Sequence, residues 1–289
     1  MKPAPFEYAR PNTLAEALSF MTLEDAKPIA GGQSLIPLLA LRMTAPKLLV
    51  DISRITELRG VEFGSEYIKL GALTRWCDVL KNQQLALQHP LLVEAIGHTA
   101  HYQIRNRGTV GGSCCHADPS AEMPAIAVTC EAQFEIRSLR GTRIVPADEF
   151  FVSVLTTVLE PDELLVSIRL PAWPSDRRYA FQDFSRRTGD FAMAGCVVFW
   201  DEEDGCCVNP HVGVFGVADT PIRVRDVEKV LLNRPVTTDV VVDAVSALRE
   251  AVIPQDDLHA PSAYRSALLG VLLERALLSA SSRQREETA

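Results

Sequence analysis

Apolar positions change rhythm along this chain, and the rhythm predicts most of its elements. Leu14-Ala-Glu-Ala-Leu-Ser-Phe-Met21 repeats at helical spacing behind Thr13, a plausible cap. Short apolar runs at 28–30 and 47–52 read as strands, with a helix capped by Ser34 and ending near Met43 between them. Together they make a small β-α-β unit. Val61-Glu-Phe63 and Tyr67-Ile-Lys-Leu70 flank Gly64-Ser-Glu66, a hairpin signal. A helix capped by Thr74 runs through Trp76 and Leu80. Another spans 90–100, with Leu91, Leu92, Ala95 and Ile96 on one face. A small-residue helix at 124–130 leads into an alternating strand at 131–137, a return through 143–145 and a strong strand at 164–170, stopped by Pro171. The polar stretch after Pro171-Ala-Trp-Pro174 marks the best domain boundary. Beyond it, 180–185, 192–200 and 208–217 read as successive strands, and helices follow near 224–232, 239–251 and 263–280. A meander followed by helices is an α+β pattern.

Two glycine turns interrupt these rhythms. Pro28-Ile29-Ala30 runs into Gly31-Gly32-Gln33-Ser34, and Leu35 opens the helix behind it. Thr109-Val110 runs into Gly111-Gly112-Ser113. Adjacent glycines permit φ > 0 and let a ligand approach where a Cβ would block it. Amide groups exposed in such a turn, or at a helix start, suit an anion such as phosphate. Two such cradles suit a ligand with two phosphates, clasped from both sides. Glu122 follows where a carboxylate can accept hydrogen bonds from ribose hydroxyls. Asp51, about 20 residues beyond the first pair, stands where a Rossmann ribose-binding acid would. The glycines are adjacent, however, and the G-x-G-x-x-G spacing is absent, so Asp51 reads more simply as a strand-end residue.

Composition narrows the function classes. The 289 residues suffice for two or three packed units. With 29 basic and 37 acidic residues the formal charge is −8, which argues against nucleic acid as a main partner. The N-terminus has no apolar core of a signal peptide, and no apolar run approaches the ~18 residues of a membrane span. A cytoplasmic location is expected. Seven cysteines include two adjacent pairs and no C-x-x-C, so neither a zinc nor an iron–sulfur site is expected in this chain. His98 and His101 lack a third ligand and read as surface or packing residues. No general-base constellation stands out, and no catalytic residue is assigned.

Ala30-Gly-Gly-Gln-Ser-Leu-Ile-Pro37, Gln103-Ile-Arg-Asn-Arg-Gly-Thr-Val-Gly-Gly112 and His116-Ala-Asp-Pro119 resemble the FAD-binding medium subunit of molybdenum hydroxylases, the group of the carbon monoxide dehydrogenase flavoprotein and xanthine dehydrogenase. Phe6-Glu-Tyr8, Arg10-Pro11, Asp162-Glu-Leu-Leu165, Arg186-Arg-Thr-Gly-Asp-Phe191 and Pro261-Ser-Ala-Tyr-Arg265 extend the resemblance over nearly the whole chain. It implies an α+β fold: an FAD-binding domain of the vanillyl-oxidase-like (PCMH) type at 1–174, with subdomains of about 1–55 and 56–174, then a smaller C-terminal α+β domain at 178–282 with an antiparallel sheet and helices. It implies that Gly31, Gly32, Gln33 and Ser34, with Gly111, Gly112 and Ser113, hold the FAD pyrophosphate, and that Ile29, Ala30, Leu35 and Val110 beside them also belong to the cofactor site. Thr109 would lie by the ribityl region, Glu122 would bind ribose, and Ala100, Leu165, Asp190 and Phe191 would approach the flavin. Three departures stand out: Ser113 where Asn is common, Gln182-Asp183 where many members carry lysine, and Phe191 where the carbon monoxide enzyme has tyrosine.

The function so implied is electron transfer. A molybdenum cofactor in a large partner subunit would oxidise substrate, and [2Fe-2S] clusters in a small partner subunit would pass electrons to FAD here, in a dimer of heterotrimers. A self-contained FAD-dependent oxidoreductase and a non-enzymatic nucleotide-binding protein are the alternatives.

Overall fold

The computed structural model describes residues 2–283, which pack into two compact units, each drawing on separate stretches of chain. Helices and strands are numbered along the chain.

The first unit comprises 2–81, 101–117 and 131–171. It contains β1 (Glu7–Ala9), α1 (Leu14–Met21), β2 (Ala26–Ile29), α2 (Leu35–Ala40), β3 (Leu48–Asp51), β4 (Val61–Phe63), β5 (Tyr67–Gly71) and α3 (Trp76–Lys81). The second unit interposes α4 (Gln83–Gln88) and α5 (Pro90–His98). The first resumes with α6 (Tyr102–Arg105) and α7 (Val110–His116). The second supplies α8 (Glu122–Thr129). The first closes with β6 (Gln133–Ser138), β7 (Gly141–Pro146), α9 (Ala147–Phe150), β8 (Phe151–Ser153), β9 (Thr156–Thr157) and β10 (Leu164–Pro171). The second then runs through β11 (Arg178–Phe184), β12 (Ala194–Glu203), β13 (Cys206–Phe215), β14 (Ile222–Arg223), α10 (Arg225–Leu231), α11 (Thr238–Ala251) and α12 (Ser262–Ser282).

In the first unit, β1-β3-β2 form a parallel sheet, with Val50 opposite both Ala9 and Pro28. Its core joins Leu14, Ala17, Leu18 and Met21 of α1 to Val50, Ile52 and Ile55. The helical stripe in the sequence is therefore the stripe that is buried, and the Thr13 hydroxyl accepts the Glu16 amide as a cap. A second, antiparallel sheet has the order β4-β5-β10-β6-β7. It is stiffened by Phe134 stacked on Phe150, their ring centroids 4.0 Å apart.

In the second unit, β11-β12-β13-β14 form an antiparallel sheet. The meander expected at 180–217 is present, and α10, α11 and α12 bury Val227, Ala244, Leu273 and Ala276 with Val198 and Val214 of that sheet. Helix α8 lies on β13 at Gly213, where a Cβ would fall 1.8 Å from Thr129 Oγ1. That close approach is how α8, with Glu122 at its start, is seated.

Three local expectations change. The Ser34 hydroxyl makes no capping bond, and α2 ends at Ala40 rather than Met43, with Arg42 turned to φ 58°. Thr74 does not cap α3; its hydroxyl donates to the Gly60 carbonyl, tying the β4 entrance to the β5 exit. Short α4, α6 and the β8–β9 ribbon carry too little apolar periodicity to read from sequence.

Candidate functional site

Both glycine turns belong to the first unit, and they meet. A Cβ at Gly31 would stand 2.2 Å from the Arg107 carbonyl oxygen and 3.0 Å from Gly108 Cα. A Cβ at Gly112 would stand 2.7 Å from Thr109 Oγ1 and 3.9 Å from Ala30 Cβ. Segments far apart in sequence thus touch backbone to backbone at Gly31, where only hydrogen fits, and lie in ordinary contact at Gly112.

The turns are built differently. Gly32 alone of the four glycines takes φ > 0, at 73°, just before α2. Among the described residues no acceptor takes the amides of Gly32, Gln33 and Ser34, and Gln33 Nε2 donates to the Gly31 carbonyl at 3.1 Å, bracing the turn. Ile29 ends β2, Leu35 begins α2, and 29–35 are all half-buried. This turn is an open set of donors.

The second turn was expected to expose its amides in the same way, and it does not. Thr109 caps α7, and Val110, Gly111, Gly112 and Ser113 are all helical. Val110 N donates to the Thr74 carbonyl and Gly111 N to the Ala72 carbonyl, both at 2.9 Å. Gly112 N donates to Thr109 Oγ1 at 3.1 Å and Ser113 N to the Thr109 carbonyl. The β-branched cap folds the glycines into a helical turn rather than a nest. Here glycine serves close approach: a Cβ at Gly111 would meet Ala72 Cβ at 2.6 Å. A phosphate at this site would find free amides only in the first turn, because those of the second are spent on the protein. These residues fit a diphosphate. Leu165, also in this unit, is buried in β10 beside a bulge between Leu165 and Ser167. Cys114, within α7, is buried, and burial pushes its thiol well up, which makes it a packing residue.

The second unit holds the remaining expected residues. Ala100 takes a left-handed φ of 45° at the end of α5. Its neighbour Thr99 donates to Glu122 Oε2 at 3.0 Å. Glu122 is 6% exposed, and burial raises its pKa to about 7, against its own amide and the Thr99 hydroxyl, which lower it. His98, expected as a surface or packing residue, pairs through Nδ1 with Asp183 Oδ1 at 2.8 Å, which raises its pKa. Asp183 is one of the residues standing where the resemblance leads one to expect lysine, so the local charge is reversed there.

Asp190 and Phe191 are exposed on the loop between β11 and β12, where Gly189 adopts φ 87°. Buried Arg265 of α12 anchors the base of that loop: Nη1 donates to the carbonyls of Met193 and Gly216, and Nη2 to Asp257. The motif ending in Arg265 was legible as sequence; its partners were not. Arg265→Ala strips two carbonyls of their donor and is expected to cost roughly 2–3 kcal/mol. Arg265→Lys should recover less than half, since an ammonium lacks the fork. Thermal unfolding checks this; an unchanged midpoint would refute the clamp.

Compared with known proteins, residues 4–173 match the family described as the FAD binding domain in molybdopterin dehydrogenase, and residues 179–280 match the CO dehydrogenase flavoprotein C-terminal domain. The chain belongs to the FAD-binding medium subunits of the molybdenum hydroxylases. It is 37% identical to the 6-hydroxypseudooxynicotine dehydrogenase complex subunit alpha of Paenarthrobacter nicotinovorans, over 99% of this chain and 97% of that one. It is 36% identical to the carbon monoxide dehydrogenase medium chain of Hydrogenophaga pseudoflava, over 98% and 99% respectively. The solved carbon monoxide dehydrogenase of Hydrogenophaga pseudoflava lacking the Mo-pyranopterin moiety superposes with a TM-score of 0.94 at 37% identity, covering 97% of this chain and 98% of that one. As a medium subunit of this family the chain is an oxidoreductase subunit with an FAD-binding domain, and its α+β fold is the family's. No described helix is long and apolar enough to cross a membrane.

Proposed function

We propose that this medium subunit carries FAD and passes electrons from iron–sulfur clusters of a small partner subunit to an external acceptor, while a large partner subunit oxidises substrate at molybdenum, in a cytoplasmic dimer of heterotrimers. The observation that carries the reading is the meeting of Gly31 with Arg107 and of Gly112 with Ala30. At Gly31 the approach leaves room only for hydrogen, at Gly112 it is an ordinary contact, and the first turn presents its amides. FAD, when bound, supplies two-electron to one-electron redox chemistry; the protein supplies position and electrostatics. The amides of Gly32, Gln33 and Ser34 bind the diphosphate, with Ile29, Ala30 and Leu35 shaping the turn and Val110 to Ser113 facing it. Thr109 lies by the ribityl chain, and Glu122 accepts from ribose. Ala100, Leu165, Asp190 and Phe191 border the ring, within an FAD-binding domain of 1–174 followed by a C-terminal domain of 178–282.

The test is co-expression with its large and small partner subunits. The complex is expected to hold one FAD per medium subunit, visible in its absorbance. That absorbance should bleach when a substrate of the complex is added without oxygen and return with an acceptor. A complex that releases no FAD on denaturation ends the reading. Substrate turnover by the chain alone would favour a self-contained oxidoreductase.

A further inference from the structure

In the first unit a cleft of about 160 Å³ is bordered by Gly31 of the first turn and by Thr109 at the start of the second, and is lined by Ser53 and by Arg10, Arg59, Arg75 and Arg107. The four arginines come from four separate segments of a chain whose formal charge is −8. Among the described residues no carboxylate lines the cleft. Arg10 Nε pairs with Asp51 Oδ2 at 3.1 Å, and Asp51 is held in turn by the Tyr8 hydroxyl and the Ser53 amide. Arg10 Nη2 reaches Ser53 Oγ at 3.3 Å and Arg59 Nη2 the Ser53 carbonyl at 2.5 Å, which fixes the Ser53 hydroxyl at the wall. Arg107 Nε lies 3.5 Å from the Gly31 carbonyl. Arg59, Arg75 and Arg107 form no ion pair with a carboxylate among the described residues.

Guanidinium groups gathered with a single carboxylate repel one another, and an anion between them removes that repulsion. Their planar forks match phosphate oxygens two at a time. The need is specific to this site. The second glycine turn spends all four of its amides on the protein, so the first turn alone cannot surround two phosphate charges.

We propose that this four-arginine cleft is a phosphate-binding site, distinct from the glycine amides, that takes a phosphate group of a dinucleotide. The source is either the chain's own FAD, in which case the inference rests on the flavin reading above, or a second phosphorylated ligand seated beside it.

Inorganic pyrophosphate is the probe, titrated calorimetrically onto the full chain without and with bound FAD. Saturable binding to the FAD-free chain is expected, weakened at least tenfold in Arg75→Gln/Arg107→Gln and weakened less in Arg75→Lys/Arg107→Lys. Loss of binding once FAD is bound identifies the cofactor's own diphosphate as the occupant; binding retained identifies a second ligand. The thermal midpoint of the glutamine variant, measured without anion, is expected to match or exceed the parent's, which separates misfolding from loss of the site. Absence of pyrophosphate binding, or equal affinity in parent and glutamine variant, overturns the proposal. FAD uptake is read from the same samples: uptake that is unchanged in a variant blind to pyrophosphate sinks this inference and spares the flavin reading. Pyrophosphate binding by a chain that never takes up FAD does the reverse.

Discussion

Gly31→Val should leave a chain that takes up no measurable FAD. The β-carbon alone would sit 2.2 Å from the Arg107 carbonyl oxygen and 2.8 Å from the carbon that bears it. Both are main-chain atoms, so no rotamer change relieves the contact and the two turns must part. Over-packing of this kind costs about 1–3 kcal/mol in a core and more where only backbone can move. Gly31→Ala meets the same atoms and should differ from valine only in degree. Uptake should fall at least a hundredfold in both, read by titrating FAD onto the stripped chain and following quenching of flavin fluorescence. Gly112→Ala offers an informative contrast. Its obstacle is the Thr109 hydroxyl at 2.7 Å, a side-chain atom, so its loss should be smaller and partly restored by Thr109→Ser, which keeps the capping oxygen on a freer side chain. Gly97→Ala is the control: nothing among the described residues lies within 4 Å of its added carbon, and alanine is the better helix former. Should Gly31→Val bind FAD like the parent, the meeting of the turns would have no bearing on the cofactor.

Much of this arrangement could be read before any coordinates. The strands at 180–217 and the three helices after them follow from apolar rhythm, because each buries one face against a single layer. The two glycine pairs announce themselves because few residues tolerate such close approach. Their convergence is a tertiary fact: Gly31 is matched to Arg107, and no local pattern encodes that pairing. Nor did local pattern reveal that Thr109 would wind its glycines into a helix. The sequence shows a β-branched residue before Gly-Gly, compatible with a strand end or with a cap, and contacts with Ala72 and Thr74 decide between them. The arginine cleft was invisible for a related reason. Arg10, Arg59, Arg75 and Arg107 form no run or period; they are gathered only when the segments after β1 and before β4, α3 and α7 come together. His98 is the exposed packing residue expected, its ring 5.0 Å from that of Phe181, but its partner Asp183 is on another element and was not legible from its sequence neighbours.

Glu122→Gln is expected to flatten two pH dependences at once. The carboxyl begins α8, where the helix dipole favours its ionised form. Burial nevertheless dominates and lifts its pKa from an ordinary 4.5 to about 7; its own amide and the Thr99 hydroxyl oppose the rise, Asp183 adds to it and His98 subtracts. Below 4.5 the folded and unfolded chains both hold the proton. Between 4.5 and about 7 the unfolded chain releases it while the folded chain retains it, so stability falls as pH rises through that window and levels off above it. The fall amounts to roughly 3 kcal/mol at most. The His98–Asp183 pair slopes the same way, because a raised histidine contributes stability at low pH that is lost as pH climbs through its folded pKa. The difference between parent and Glu122→Gln isolates the carboxyl. The variant should match the parent near pH 4.5 and exceed it by roughly 1–3 kcal/mol at pH 8, measured by urea unfolding of the FAD-free chain. Parallel stability profiles would mean that the buried carboxyl does not titrate in this range. For FAD the sign reverses. An ionised carboxylate accepts from ribose hydroxyls better than a protonated one, so affinity in the parent should climb as pH passes about 7. In Glu122→Gln it should be flat and about 10–100-fold weaker at pH 8, the worth of a hydrogen bond to a charged group. A variant that gains stability yet keeps the parent's FAD affinity would remove Glu122 from the ribose site while leaving its burial explained.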